Sequence, residues 1–203
     1  PVEVVYNTAK IQQIGRQGID PLEYDKIKQT ALTPINTDSN GNYIPRTNAG
    51  YQTLSQFYGS DYFLSRINFN PDREVKALLM LEIEYEARKI KQALIKAITR
   101  QYLRDDIKSD AEQMRYLIDN AIKAAQNLRL TVGTALTPQQ IAALTQDIIW
   151  YVIEEINGQK ILIPRIYLSP STLASLTNPN STIKSAGSMT LATSGDITNT
   201  GTI

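Results

Sequence analysis

The dipeptide Asn157-Gly158 constrains the fold of this chain more than any other feature of its sequence. It separates two runs rich in β-branched and aromatic residues, residues 150–156 and residues 159–168. Both residues of the dipeptide accept the positive φ angles of a type I′ turn, so the pattern predicts a β-hairpin. Pro164 lies in the return strand and cannot donate a backbone hydrogen bond, so we expect one side of that strand to be an edge.

The residues before this hairpin have a helical period. Asn70 followed by Pro71 is a helix start signal, and apolar residues then recur every three or four positions without an interior Gly or Pro. The pattern predicts one long helix over residues 71–103, about 50 Å in length at about 1.5 Å per residue. Start signals at Ser109 and Thr137 predict two shorter helices, which end near residues 128 and 144.

The composition changes after the hairpin. Residues 171–203 are mostly Ser, Thr, Asn, Gly and small aliphatic residues, and short apolar segments alternate with glycines. This pattern is typical of a solenoid coil, which cannot bury its apolar face alone. We therefore expect the first coil of a β-helix here, capped by the domain before it.

The predicted fold class is α+β, with one long central helix in a mostly helical domain. The predicted segments are an irregular, short-helix region (1–58), a helical domain (59–149), the hairpin (150–170) and the start of β-helical repeats (171–203).

Composition limits the chemistry of the chain. Its 203 residues include no Cys and no His, which removes thiol nucleophiles, thiolate metal sites and the commonest general acid–base residue. A net charge of +1 gives no basic field for nucleic acid. The longest aliphatic run, residues 77–81, is too short to span a membrane. We therefore expect no enzyme, no nucleic-acid partner, no transmembrane segment, and no catalytic, cofactor-binding or metal-binding residue.

Three acidic stretches have the composition of a metal site, and each has a simpler interpretation. Glu82, Glu84 and Glu86 fit a solvated helix face, since only the first and last of them share a side of the helix. Asp105-Asp106 fits a turn. The stretch Asp38-Ser39-Asn40-Gly41-Asn42 has oxygen ligands and a glycine, but it lacks the bidentate Glu of a calcium loop.

Three further groups of residues have the composition of a site for a ligand or a nucleophile. Gly15-Arg16-Gln17-Gly18 lacks the strand and helix that flank a phosphate loop. Lysines become nucleophiles only when they are desolvated, and nothing indicates this for Lys89, Lys91 or Lys96. Trp150 and Tyr151 could form a ligand platform, but an anchor between the helical part and the hairpin is the simpler interpretation.

Four stretches together resemble the large exoproteins of the filamentous haemagglutinin and contact-dependent inhibition type, which are exported by two-partner secretion. The stretches are residues 59–64, 136–150, 161–168 and 187–203. One departure is that helix-forming residues 79–81 replace a glycine-containing turn before Tyr85-Glu86-Ala87-Arg88, which favours one continuous helix. Because the sequence begins at Pro1 without a Met, we expect an internal segment of a longer chain.

The resemblance implies a secreted protein at the bacterial cell surface. Its expected role is a structural and interaction segment that interrupts and caps a right-handed β-helical stalk. The alternative is a receptor-binding or export-arrest module of the same exoprotein, and an enzyme would need a deep pocket lined by converging carboxylates. The implied partners are an outer-membrane two-partner secretion transporter, the adjoining β-helical repeats and a target-cell receptor, with no cofactor.

Overall fold

The structure, a computed structural model, describes residues 8–21, 33–34, 38–41, 63–64, 66–67, 76–77 and 83–177. The helices in these ranges are α1 (Thr8–Gln17), α2 (Ile83–Ile98), α3 (Asp110–Asn127), α4 (Pro138–Ala142) and α5 (Pro170–Thr177). The strands are β1 (Thr33–Pro34), β2 (Lys76–Ala77), β3 (Ile148–Ile156) and β4 (Gln159–Tyr167). The predicted combination of helices and a hairpin is confirmed.

The hairpin of β3 and β4 forms as the sequence predicts. Its register runs from Ile148 opposite Tyr167 to Ile156 opposite Gln159. The two turn residues, Asn157 and Gly158, have φ angles of 53° and 74°. These are the positive values that a two-residue type I′ turn requires, so the local chemistry of this dipeptide sets the register of the whole hairpin.

The second side of β4 shows why Pro164 is tolerated. Ile161 and Leu162 pair with the parallel strand β2, and the backbone N–H of Ile166 donates to the carbonyl oxygen of Ile19 at 2.8 Å. Pro164 lies between these two contacts, opposite Tyr151 of β3. In β4 the backbone nitrogens of alternate residues point away from β3, and those of Ile166 and Pro164 are among them. The nitrogen of Pro164 carries no hydrogen. The proline therefore breaks no bond of the β3–β4 ladder. The expected edge is not found, because β4 lies between β2 and β3 in the sheet, and the proline occupies the gap between the two contacts on the second side.

Helix α3 is the centre of the core. Ser109 is its N-cap, and the Ser109 hydroxyl accepts the backbone N–H of Glu112 at 3.2 Å. The Glu112 carboxylate accepts the backbone N–H of Lys108 rather than that of Ser109, one residue away from a regular capping box. The buried face of α3 has helical spacing and packs on β3 and α2. Its members are Met114, Leu117, Ile118 and Ala121, each no more than 1% exposed.

The long helix predicted over residues 71–103 is wrong at both ends. Lys76 and Ala77 form strand β2, and the helix α2 begins only at Ile83. At the other end Thr99 takes a positive φ of 57°, which lies outside the right-handed helical region, so the helix ends there. Of the predicted apolar stripe, Ala87, Ile90 and Leu94 are buried and Ala97 is half-buried, and Ile98 beside the stripe is buried as well.

Two helices lie where the sequence analysis expected other structure. Helix α5 occupies the first residues of the segment predicted to begin the β-helix, and residues 178–203, which hold the rest of the predicted coil, lie outside the described residues. Helix α1 lies in the region expected to be irregular with short helices, but no helix was predicted at residues 8–17. Within the described residues no helix combines the length and the apolar character needed to cross a bilayer.

Candidate functional site

Among the described residues, Asp147 is the buried residue with an ionisable carboxylate, and it is 1% exposed. Its Oδ1 accepts the backbone N–H of Ser169 at 2.8 Å. Its Oδ2 accepts the hydroxyl groups of Thr172 at 3.0 Å and of Tyr116 at 3.2 Å. The backbone oxygen of Asp147 accepts the side-chain amide of Asn120 at 3.2 Å. One residue thus joins helix α3, the start of β3 and the beginning of α5.

The position of this carboxylate follows from two chain segments. Asp147 directly precedes β3, whereas Ser169 and Pro170 follow β4, so the two ends of the hairpin meet at the same place. The Ser169 hydroxyl also accepts the backbone N–H of Thr172 at 3.3 Å, which makes it the N-cap of α5. The Asp147 carboxylate therefore lies at the N-terminus of α5, where the helix dipole favours a negative charge.

Burial dominates the electrostatics of this cluster. Desolvation raises the pKa of Asp147 above its ordinary value, and the hydrogen bonds from Ser169, Thr172 and Tyr116 oppose that rise without cancelling it. Burial and the neighbouring Asp147 charge raise the pKa of Tyr116 to about 12. Tyr116 is therefore a neutral hydroxyl donor at neutral pH. The guanidinium carbon of Arg104 lies 5.6 Å from the centre of the Tyr116 ring. The arrangement orders the chain and offers no open position for a reacting group on the carboxylate.

A second ionic cluster holds the N-terminal residues against the hairpin. The Arg165 guanidinium donates to Asp20 at 2.7 Å and to Glu154 at 2.8 Å. Burial by itself lowers the pKa of Arg165. The hydrogen bonds of Arg165 to Asp20, Tyr167 and Glu154 have a larger, opposite effect, so the pKa lies above its ordinary value. Ile19 pairs with β4 beside this cluster. Together these contacts fix the segment after α1 on the outer side of the hairpin.

The structure separates the predicted acidic candidates. Asp106 forms an exposed ion pair with Arg104 at 2.8 Å, in the turn that the sequence predicts. Asp38 accepts the backbone N–H groups of Asn40 and Gly41, as in an Asx turn. Asn42 and Glu82 lie outside the described residues, and of Glu84 and Glu86 only the helical backbone is described. Within the described ranges no group of three or more acidic residues has metal-binding geometry.

The remaining candidates have structural contacts. Gly18 follows the end of α1 with a φ of 73°, the opposite end of a helix from the one that binds phosphate. Lys91 forms an ion pair with Asp110 at 3.0 Å, and this hydrogen bond raises the pKa of Lys91, whereas a lysine nucleophile needs a lowered one. The carbonyl oxygen of Lys96 accepts the Lys10 ammonium group. Lys89 lies on α2 with its side chain partly buried.

Trp150 is the anchor that the sequence predicts. It is fully buried, its Nε1–H donates to the carbonyl oxygen of Thr131 at 3.3 Å, and its ring meets Phe63 edge-on at 5.3 Å. Tyr151 stacks at a tilt on the same Phe63 ring, at 5.0 Å between centroids. The two aromatic rings join the hairpin to the helical part and leave no face for a ligand.

Sequence reasoning missed the cluster around Asp147 because its members are far apart in the chain. One local signal was available: Ser169-Pro170-Ser171-Thr172 is an N-cap followed by a first-turn proline. That signal predicts helix α5, but it does not identify the acidic partner.

Comparison with known proteins gives relatives for most of the chain. The chain is 40% identical over 124 residues to a protein named 16S rRNA endonuclease CdiA from Enterobacter cloacae, covering 61% of this chain and 4% of that protein. It is 38% identical over 158 residues to a tRNA nuclease CdiA from Escherichia coli, covering 77% of this chain and 5% of the relative. It is 31% identical over 147 residues to a deoxyribonuclease CdiA from Dickeya dadantii, covering 72% of this chain and 4% of that protein. No family model and no solved structure matches.

These matches confirm that the chain is a segment of a large exoprotein, secreted and displayed at the bacterial cell surface. Within that class it is a segment of the CdiA type, the contact-dependent inhibition exoproteins. The chain spans only about 4% to 5% of the length of these relatives.

The same matches correct two predictions. The expectation of no enzyme is wrong, because relatives are named as endonucleases that act on 16S rRNA or tRNA and as a deoxyribonuclease. The exclusion of nucleic acid as a partner conflicts with the same names. Absence of His and Cys from one segment was too narrow a basis for either statement about the protein that contains it.

Proposed function

We propose that this chain is a junction segment of a large secreted exoprotein that delivers a nuclease toxin to other cells. Its described residues hold the chain in a fixed direction where the helical part passes into the segment that follows α5. In this proposal the segment caps a β-helical stalk of the filamentous haemagglutinin type. The parent protein uses an outer-membrane two-partner secretion transporter for export and a target-cell receptor for delivery.

The cluster around Asp147 is the observation that carries the junction role. It ties the start of β3, the end of β4 and the first turn of α5 to helix α3 through one carboxylate. Helix α1 also packs against α5, and Gly15 lies against the side chain of Leu173. The last described helix is therefore held by contacts with α1 and by the Asp147 cluster.

The range of named activities supports a role in delivery. Relatives named for cleavage of 16S rRNA, tRNA and DNA share this segment at 31% to 40% identity. A segment common to proteins that act on three different nucleic acids fits a step that all three need. Export, display and presentation of the toxin are such steps.

The test uses the full-length exoprotein that contains this chain, with Asp147→Ala and the isosteric Asp147→Asn as a matched control. Cells that display each version are mixed with target cells, and surface display and target-cell killing are measured. The nuclease activity of each purified exoprotein is measured on tRNA, 16S rRNA and DNA. We expect Asp147→Ala to lower killing at least about tenfold, while nuclease activity and the behaviour of Asp147→Asn stay near wild type.

Two results would contradict the proposal. Killing by the Asp147→Ala exoprotein at the wild-type level would show that the cluster around Asp147 has no part in delivery. A loss of nuclease activity in the purified Asp147→Ala exoprotein, in proportion to the loss of killing, would place the reaction itself in or on this segment.

A further inference from the structure

A small cleft lies between the C-terminal half of α3 and the loop that joins α4 to β3. Its volume is about 150 Å³. This is below the roughly 300–1,000 Å³ of pockets for drug-sized ligands, and it suits a single ring. The floor is aliphatic, formed by Ala124, Leu128, Leu144 and Ile148. The cleft opens to solvent on one side, so a ligand can enter without movement of the core.

The two ends of the cleft are held by hydrogen bonds between its walls. At one end the Asn120 side-chain amide donates to the backbone oxygen of Asp147 at 3.2 Å, and the Gln146 side-chain oxygen, 3.0 Å from the Tyr116 hydroxyl, shares the proton of that hydroxyl with Asp147. At the other end the Gln140 amide donates to the carbonyl oxygen of Leu128 at 3.4 Å. The walls are thus fixed before any ligand arrives, which lowers the entropic cost of binding.

Polar groups around the rim are left without partners. The side chains of Lys123, Asn127 and Thr145 line the cleft and form no hydrogen bond or ion pair with the part of the chain that the structure describes. Asn120 and Gln146 each use one end of their amide in the contacts at the cleft wall, which leaves the Asn120 oxygen and the Gln146 amide nitrogen for a ligand. The rim therefore offers both donors and acceptors around an aliphatic floor.

The charges at the cleft oppose one another and leave no strong field for an anion or for a cation. Helices α3 and α4 both end at it, near Leu128 and Ala143, and α3 has no basic residue in its last turn. Their C-terminal carbonyl groups carry partial negative charge, which repels anions and attracts hydroxyl donors. Among the described residues that line the cleft, Lys123 is the one with a charged side chain, and its ammonium group repels cations.

We propose that this cleft binds one neutral sugar ring. The aliphatic floor contacts the C–H face of the ring, and the amide, hydroxyl and ammonium groups of the rim bind its hydroxyl groups. Asn127 and Thr145 carry the unpartnered amide and hydroxyl on opposite walls, so both contact the ligand. A single ring held by so few groups binds with a dissociation constant in the millimolar range.

The experiment is a titration of the full chain, labelled with ¹⁵N, with glucose, galactose, mannose and N-acetylglucosamine in separate NMR samples, and with glucuronate as the charged comparison. We expect at least one neutral sugar to shift amide signals of the cleft residues with a millimolar midpoint, and glucuronate to bind more weakly than glucose. Ala124→Leu fills the floor and abolishes the shifts. Asn127→Ala weakens binding several-fold, whereas the matched control Gln126→Ala, which removes an exposed amide from the same helix outside the cleft, leaves it unchanged.

The unligated spectra of the three variants show whether each is folded, so a loss of binding is not confused with unfolding. The proposal is overturned if no neutral sugar shifts the cleft signals, if Ala124→Leu binds as wild type, or if glucuronate binds more tightly than glucose. Such a result leaves the junction role standing, because Ala124→Leu and Asp147→Ala change different contacts.

Discussion

Replacement of Asp147 by Ala removes three hydrogen bonds at once, and the structure indicates how much each loss costs. The Tyr116 hydroxyl keeps the side-chain oxygen of Gln146 as an acceptor, at 3.0 Å. The Thr172 hydroxyl keeps one contact with the hydroxyl of Ser169, at 3.3 Å. The backbone N–H of Ser169, in a residue that is 2% exposed, loses its acceptor.

The cost is dominated by that one buried N–H group. A buried donor left without an acceptor costs about 1–3 kcal/mol. The missing hydrogen bond to Thr172 adds to this cost, while removal of a desolvated charge offsets part of it. We therefore expect Asp147→Ala to lower the free energy of unfolding by about 2 kcal/mol.

Asp147→Asn is the matched control because it has the same shape. Its oxygen can still accept the Ser169 N–H group, and its NH₂ group can donate to the hydroxyl oxygen of Thr172 or Tyr116, since hydroxyl groups both donate and accept. We expect this variant to lose less than about 1 kcal/mol.

Urea unfolding followed by circular dichroism separates the two variants. With a slope of about 2 kcal/mol per molar urea, the Ala variant should unfold at a urea concentration about 1 M lower than wild type, with an unchanged slope. Equal losses for the Ala and Asn variants would refute the hydrogen-bond argument, because both remove the charge and only one removes the acceptor.

The pH dependence gives an independent check with a defined sign. Burial raises the pKa of Asp147 above its ordinary value of 3.8, so the folded chain binds this proton more tightly than the unfolded chain. The resulting stability is present below pH 3.8 and is lost as the pH rises through the folded pKa. Wild type should therefore lose stability relative to Asp147→Asn as the pH rises from the acidic range to neutrality. A relative gain for wild type would mean that its hydrogen bonds outweigh its desolvation.

Three other substitutions test separate parts of the fold. Gly18→Ala should lose at least about 1 kcal/mol in a thermal melt, since φ is 73° and a Cβ would lie 2.7 Å from the carbonyl oxygen of Ile166. Thr137→Ala removes the side chain that accepts the Gln140 N–H in a complete capping box and should cost about 1 kcal/mol, with Thr137→Ser near wild type. Arg165→Met should lower the free energy of unfolding by about 1 kcal/mol, a modest loss because the two carboxylate partners of Arg165 are partly solvated. High salt should reduce this difference in free energy between the variant and wild type. A salt-independent gap for Arg165→Met would point to lost packing instead of lost ion pairs.

The elements that the sequence predicted correctly are those decided by neighbouring residues. The type I′ turn needs only Asn157 and Gly158, and the capping box of α4 needs only Thr137 and Gln140. The interaction partners in these cases lie within three residues of one another. Such signals act locally, so a single sequence contains all the information that they require.

The long helix failed because distant residues decide its ends. Residues 71–82 have helix-forming composition, yet Lys76 and Ala77 pair with Ile161 and Leu162, which are 85 positions away in the chain. Pairing with a strand that is already fixed outweighs a local helical preference of a few tenths of a kcal/mol per residue. Helix α1 was missed for a related reason, since its buried face consists mainly of Ile11 and Ile14 and packs only once α5 and β4 are in place.

The proposed junction role needs a property beyond stability, and the Asp147 cluster has that property. An apolar side chain of similar size can stabilise a core as well as a buried charge does, because desolvation offsets much of the electrostatic gain. An apolar side chain, however, has no preferred partner, whereas each carboxylate oxygen of Asp147 is satisfied by particular donors on Ser169, Thr172 and Tyr116. A shift of α5 by one residue would leave a buried charge and a buried N–H group unpaired. The carboxylate therefore selects one orientation of the last described helix, which is the property that a segment needs when it must aim the chain that follows.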